Sequence, residues 1–440
     1  ITQCRLRLKR KEVKATMTDS SQPKVNLFDV ETQQCPYDAY KALRDEAPAY
    51  RCPHSGMYVI SRYDDVRRVL TDHENFTNRT TLYGEEAKPN ERQQAVIDLF
   101  EQEGWLPAPT LASRDDPDHK AMRAVFNEAF RPGKIKELDS EVEALSYRLI
   151  DDFIDDGHCE WVRQFAIPLP LFIIGRQMGA DPNDIWRIKG WTEAFFERIS
   201  MMQSPDEELD TVRREIQAQH YFQPIFEQLR RKPEDSLLSV LVNTVIEEWG
   251  RPMNDNELHA EMMADTFVGG SETTTNAISA GVKLLIENKN IWDQLKSDPD
   301  RYLKNFIEEV LRLESPVQSL MRATAKDVDI GGTMIPAGSL INIRYAAANR
   351  DERRFDNATE IDLERKNPGG HMAFGSGKHH CLGAPLARRE LFWSFTALLD
   401  RVDDMWFAEG KNEFRYHPHY LLRSLQELHI EFSPAQSNRG

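Results

Sequence analysis

The residues with the strongest chemical signal lie between 374 and 383, in the run FGSGKHHCLG. Glycines at 375, 377 and 383 permit backbone shapes that side chains forbid, and they let the chain approach something flat and close. They also leave backbone N–H groups free to point at the sulfur of Cys381. Such hydrogen bonds stabilise a thiolate and tune a metal behind it. The sequence that follows, LGAPLARRELFWSFTALL, reads as a long amphipathic helix whose positive N-terminal end also favours a thiolate. A lone cysteine in a turn is ordinarily inert and buried. The spacing Gly-x-Gly-x-His-x-Cys-x-Gly argues against that reading here.

A second run, VGGSETTTN at 268–276, sits inside a helical pattern. Two adjacent glycines within a helix cost about 1 kcal/mol each relative to alanine, so something must require the missing side chains. The Glu272–Thr273 pair follows directly, and a threonine can loosen a helix by bonding back to a carbonyl. A glycine pair that merely packs one helix on another is the plainer alternative. IEEVLRLESP at 307–316 places Glu309 and Arg312 three apart on one helix face, which alone would be an ordinary surface ion pair. DPDHKAMRAVF carries His119 and Arg123, four apart and on one face, a spacing suited to gripping an anionic group.

The elements that must position these groups are mostly helices. Apolar residues recur at three and four spacing over 63–72, 116–130, 141–156 and 236–249. The longest predicted helix starts at Asn254 as N-cap and runs to about Asn288, long enough to cross the whole body. Strand signals are few and short, at 57–61 and 339–344, with 330–339 reading as a hairpin turn into the second. Residues 78–115 break the periodicity with Pro, Gly and charge, as long functional lids do. The chain has 440 residues and a net charge of −16, enough length for a large core and the wrong sign for a nucleic-acid binder. Its five cysteines are scattered and contain no CxxC pair, so neither a disulfide framework nor a zinc site is indicated, and a cytoplasmic setting is the simplest expectation. The N-terminal run ITQCRLRLKRKEVKATMTDSSQ has no apolar stretch for a signal peptide or membrane anchor. Met17 looks like an ordinary start, so residues 1–27 read as an extension to a single domain spanning 28–433, with 434–440 as a tail.

Taken together, the motifs resemble the cytochrome P450 monooxygenases. Phe374, Gly375, Gly377, His379, Cys381 and Gly383 match the family's haem-binding signature. The resemblance implies the mainly helical P450 fold with a minor β part, and haem b held between the long central helix and the cysteine-loop helix. It makes Cys381 the axial ligand of the haem iron. It assigns the haem propionates to His119, Arg123, Arg322 and His379. Glu272 and Thr273 become the acid and alcohol that deliver protons during dioxygen activation. Glu309 and Arg312 become a buried structural pair, with Arg365 as the third member.

By the same resemblance Asp265, Val268, Gly269, Val317, Leu320 and Leu421 line the substrate pocket. Helical spacing places Asp265, Gly269 and Thr273 on one stripe; Asp265 then either meets a polar substrate group or pairs with an overlying element. Trp105, Leu106 and Leu111 of the lid are expected to cap a mostly apolar substrate, such as a terpenoid, steroid, fatty acid or aromatic compound. No flavin or iron–sulfur pattern is visible, so NAD(P)H-derived electrons are expected through a separate ferredoxin and ferredoxin reductase, docked near Lys378, Arg388 and Arg389. The competing readings are a peroxide-driven peroxygenase and a non-catalytic haem- or ligand-binding protein. Ser424 and His429 stand where the family commonly has Gly and Pro, and Arg344 in an apolar strand has no role from sequence.

Overall fold

The computed structural model describes residues 23–80 and 89–435. The basic N-terminal run, part of the lid at 81–88 and the last tail residues lie outside the described residues. Helices dominate: α1 Tyr37–Glu46, α2 Tyr63–Thr71, α3 Glu91–Glu103, α4 Asp118–Ala129, α5 Pro132–Asp151, α6 Pro168–Gln177, α7 Ile185–Arg198 and α8 Pro205–Arg231. The central helix follows as α9 Asp255–Glu261, a wide π turn Met262–Val268 and α10 Gly269–Glu287. Further on lie α11 Pro299–Glu314 and α12 Ala384–Arg401.

The central helix starts and stops where the sequence said. Asn254 accepts from the Glu257 N–H, the Glu257 side chain reaches back to the Asn254 N–H, and the helix closes at Asn288. Its middle differs from expectation, because Met262–Val268 is wound as a π turn rather than an α-helix. Helix α3 was not predicted from its polar sequence; an Asn90–Gln93 capping box starts it inside the lid. The predicted helix at 236–249 stops at Asn243.

Ten short strands make the minor β part among the described residues. β1 Ala49–Arg51, β2 Tyr58–Ile60, β3 Phe76–Thr77, β5 Leu320–Thr324 and β8 Leu340–Ile343 form one sheet in the order β1-β2-β8-β5-β3. β6 Val328–Ile330 and β7 Thr333–Ile335 form a hairpin whose turn, Gly331–Gly332, has φ of +58° and +81°, a shape that glycine takes without strain. β4 His158–Glu160, β9 Val402–Phe407 and β10 His429–Pro434 form a third sheet.

Helix α10 is buried almost all round, as a helix through the core must be. It crosses α12 closely at Gly281. A Cβ there would lie 2.3 Å from Cζ of Phe395, so only glycine allows this approach. The crossing brings the helix that carries Thr273 against the helix that follows Cys381.

Candidate active site

The cysteine loop is built by its glycines. Gly375 and Gly377 have φ of +68° and +71°. A Cβ on Gly377 would stand 2.9 Å from the Leu70 carbonyl, so the loop lies directly against α2. The Cys381 N–H closes the loop on Phe374 O at 2.9 Å. The cysteine side chain is presented on an open face. Loss of bulk solvation pushes its thiol up, while N–H groups of Gly383 and Ala384 and the charge of Arg123 pull it down. Arg123 donates to His380 O at 2.8 Å.

The residues at the open face fit a haem. His119 is buried and its Nε2 has no hydrogen-bond partner. Its ring lies 3.9 Å from that of His379, whose Nε2 is 2.6 Å from Asn78 Nδ2. Burial, with His119 and Arg322 nearby, pushes His379 down to about 3. Arg322 is buried and, among the described residues, donates only to its neighbour's carbonyl, Met321 O. An orphaned imidazole nitrogen, a crowded second imidazole and a guanidinium without a carboxylate make a set of donors waiting for an anion, as haem propionates would be.

Across from the loop, Thr273 is half-buried and its hydroxyl donates back to Gly269 O at 2.9 Å. Gly269 itself is exposed, and a Cβ there would find nothing nearer than Ala264 O at 3.5 Å. Glu272 turns toward α7, where it accepts from Lys189 Nζ at 2.6 Å and Thr192 Oγ1 at 3.0 Å. Burial opposes the charge on Lys189, but Glu272 more than offsets it and holds the ammonium above its ordinary range. On the other side of α10, Glu390 of α12 is buried near Thr274; desolvation pushes its carboxyl up to about 8, partly offset by the threonine hydroxyl.

Glu309 and Arg312 are fully buried and joined by two hydrogen bonds of 2.7 and 2.8 Å. Arg365 adds two more to the same carboxylate at 2.9 and 3.2 Å, and the Asp362 N–H a fifth at 2.9 Å. The other donors of Arg312 reach the carbonyls of Asn349, Ala358 and Glu360. This network fastens the segment leading to the cysteine loop onto α11.

A cavity of about 270 Å³ lies between the lid, α7, α8 and the central helix. Phe100, Phe195, Ile199, Phe222, Met262 and Met263 give it an apolar wall, and Leu320 closes one side. Its charged exception is the Arg198–Glu215 pair, joined at 2.9 Å by Arg198 Nη2. Of the predicted pocket residues, only Leu320 is on this wall. Val268 is packed in the core, Gly269 is exposed, Val317 is bridged to Leu422, and Leu421 O accepts from Gln318 N. Asp265 takes the second of its two expected roles and pairs with an overlying element: it accepts from Ala112 N at 3.0 Å and Glu261 accepts from Leu111 N at 2.5 Å, so the two carboxyls anchor the lid. Burial raises both, and the Asp265 charge raises Glu261 further. The π turn breaks the spacing of four that had put Asp265 and Thr273 on one stripe, and the central helix meets the cavity through His259, Ala260 and Met262–Ala264.

Trp105 of the lid is clamped at both backbone groups by Gln219 of α8, at 2.9 and 2.8 Å. Leu111 is buried under the lid, and Leu106 packs partly buried with Phe100 and Ile216. On the opposite face, Lys378, Arg388 and Arg389 are each paired within the chain, to Asp116, Glu308 and Asp139.

The family model for cytochrome P450 matches residues 182–403. A steroid C26-monooxygenase of Mycobacterium tuberculosis is 31% identical over 397 residues, covering 90% of this chain and 94% of the relative. The chain belongs to the cytochrome P450 family. A second P450, the polyketide biosynthesis protein PksS of Bacillus subtilis, is 30% identical over 405 residues, covering 90% of this chain and 96% of the relative. Its solved structure superposes with a TM-score of 0.80 and covers 93% of this chain. CYP109E1 of Bacillus megaterium, solved in complex with testosterone, superposes at 0.75 with 28% identity, over 90% of this chain and 99% of its own. This P450 is therefore an oxidoreductase of the monooxygenase type with the P450 fold, and the family implies a haem cofactor. No helix among the described residues is long and apolar enough to cross a membrane.

Some positioning residues carried no signal in the sequence. Lys189 and Thr192 are 83 and 80 positions from Glu272, and Gln219 is 114 from Trp105. The Glu261–Asp265 pair was accessible, because its spacing of four puts two carboxyls on adjacent turns.

Proposed function

We propose that this P450 inserts one atom of dioxygen into a C–H or double bond of a mostly apolar, steroid- or polyketide-sized molecule, with electrons from a separate ferredoxin and its reductase. The observation that carries the reading is the cysteine loop: a sulfur presented on an open face, with two helix-start N–H groups behind it and unpartnered anion donors beside it. Bound there, haem supplies the oxidation itself, with Cys381 as its thiolate ligand. His119, Arg123, Arg322 and His379 hold the propionates. Phe374, Gly375 and Gly383 shape the face against which the ring rests.

Thr273 stands one helical turn from Gly269, where the exposed backbone leaves room for a small molecule. Its hydroxyl passes protons toward the reacting oxygen. Glu272, held by Lys189 and Thr192, is the acid that resupplies them when it swings from α7. The apolar cavity and its lid exclude water from the substrate. Two relatives support the size class: one is named a steroid C26-monooxygenase, and one neighbour was solved with testosterone. The exposed rims of Lys378, Arg388 and Arg389 support an acidic electron donor, each offering a cation whose carboxylate partner can be exchanged.

The test is a titration of the haem-loaded protein with terpenoids, steroids, fatty acids and aromatics, reading the Soret band. A shift to high-spin iron with an apolar compound, and an oxygenated product on adding NADH, ferredoxin and reductase, is the expected result. Binding without product under every donor would leave a ligand-binding protein instead. Product with hydrogen peroxide but not with the electron chain would make it a peroxygenase.

A further inference from the structure

Arg344, which the sequence left without a role, directly follows β8 and is 2% exposed. One nitrogen, Nη1, donates to Tyr420 O at 2.9 Å. Its Nε and Nη2 make no well-formed hydrogen bond, and the Tyr420 hydroxyl beside the guanidinium is a neutral neighbour rather than a counter-ion. The guanidinium lies over the rings of Tyr420 and Tyr40, at 4.6 and 5.6 Å from their centres. Arginine cannot shed its charge in a protein, and a buried charge without a counter-ion costs several kcal/mol. Ring faces alone offset only a small part of that.

Beside Arg344 is a small cavity of about 20 Å³, enough for one monatomic ion or one water. Its wall comes from the N-terminal segment, α1 and the C-terminal loop 416–423, and among the described residues it contains no carboxylate. The second guanidinium on the wall, Arg423, is already engaged. It bonds Glu314 at 3.3 Å and the carbonyls of Gln33 and Gln34. Glu314 is shared with Arg350 at 3.5 Å, so no charge is left over for Arg344. His419 is also fully used: its Nε2 donates to Phe196 O at 2.9 Å, and its Nδ1 accepts from the N–H groups of Leu421 and Leu422.

We propose that this cavity is a structural site for a small monovalent anion, of the chloride type, held by Nε and Nη2 of Arg344. The ion neutralises a buried guanidinium that no carboxylate among the described residues compensates. It pins the N-terminal segment to the C-terminal loop. That loop receives Gln318 N at Leu421 O, at 2.7 Å, two residues before Leu320 on the substrate cavity. The anion thereby braces one wall of the active site from behind, without touching substrate or haem.

The test uses the haem-loaded full chain, dialysed free of chloride and melted in sodium chloride or sodium gluconate at equal ionic strength. Chloride should raise the unfolding midpoint saturably, by roughly 3 °C at a hundredfold excess over its dissociation constant. Gluconate, too large for the cavity, should not. Arg344→Met should lose the chloride response. Equal midpoints in the two salts, or an undiminished response in Arg344→Met, would overturn the proposal. Should the variant not fold, crystals of the wild-type protein grown in bromide decide the matter. An anomalous peak against Nε and Nη2 supports the site, and a water or nothing there refutes it.

Discussion

Replacing Glu309 by glutamine exchanges one carboxylate oxygen for an amide nitrogen and removes the negative charge between two arginines. In the native protein its carboxylate receives five hydrogen bonds, four of them from Arg312 and Arg365. A glutamine offers one carbonyl oxygen to the same donors and turns an NH2 toward the rest. Two guanidiniums then face each other, one of them fully buried. Breaking a buried ion pair by removing one partner costs about 3–5 kcal/mol. That is a large share of a typical stability of about 5–15 kcal/mol. Arg312→Ala should cost at least as much, since it also strips donors from the carbonyls of Asn349, Ala358 and Glu360. Arg365→Ala should cost only about 1–2 kcal/mol, because Glu309 keeps Arg312 and the side chain of Arg365 reaches the rim. Urea unfolding of the haem-loaded protein, followed by tryptophan fluorescence and Soret absorbance, gives the three values. The midpoints should move with the slopes unchanged. A loss below about 1 kcal/mol for Glu309→Gln, or equal losses for the two arginines, would show that the network is not what fastens this segment.

Three further outcomes are expected. Thr273→Ala should leave substrate binding intact while most reducing equivalents are lost without product; unchanged coupling, measured as product formed per NADH, would place proton delivery elsewhere. Glu390 has a folded-state value near 8 against an ordinary 4.5, so the folded protein binds the extra proton and stability declines as pH rises from 4.5 through 8. Glu390→Gln should flatten that decline, gaining on the order of 4 kcal/mol over wild type between pH 5 and 9, and parallel profiles of urea midpoint against pH would refute it. Gln219→Leu removes both bonds to Trp105, at about 1 kcal/mol each, and should speed substrate dissociation about tenfold in stopped-flow traces; an unchanged rate would mean the lid does not gate release.

What was legible in the sequence was legible because it is local. The cysteine loop carries its glycines, sulfur and following helix within one continuous run, and Glu309 and Arg312 are one turn apart. The limits of the central helix were legible from its caps. The cavity wall was not. It depends on a π turn that no hydrophobic period reveals, and on side chains of α7 and α8 brought in from far along the chain. Helix α3 escaped because its face is too polar for periodicity to mark, although its capping box was in plain view. Arg344 was noticed for the right reason, a charge in an apolar strand, but its surroundings come from both ends of the chain.

The π turn also divides the central helix by what holds each half. Upstream, Glu261 and Asp265 grip the lid. Downstream, Gly281 lies under Phe395 of α12, and Thr275 Oγ1 is tied to Ala166 O at 2.9 Å. A rod of uniform pitch would hand any twist of the lid straight on to Thr273. Here the backbone bonds lengthen their stride for seven residues, from four positions back to five. A torque applied by the lid is taken up in that loosened turn, like a flexible coupling between two shafts. The half that carries Thr273 would then keep its bearing while the half that holds the lid turns.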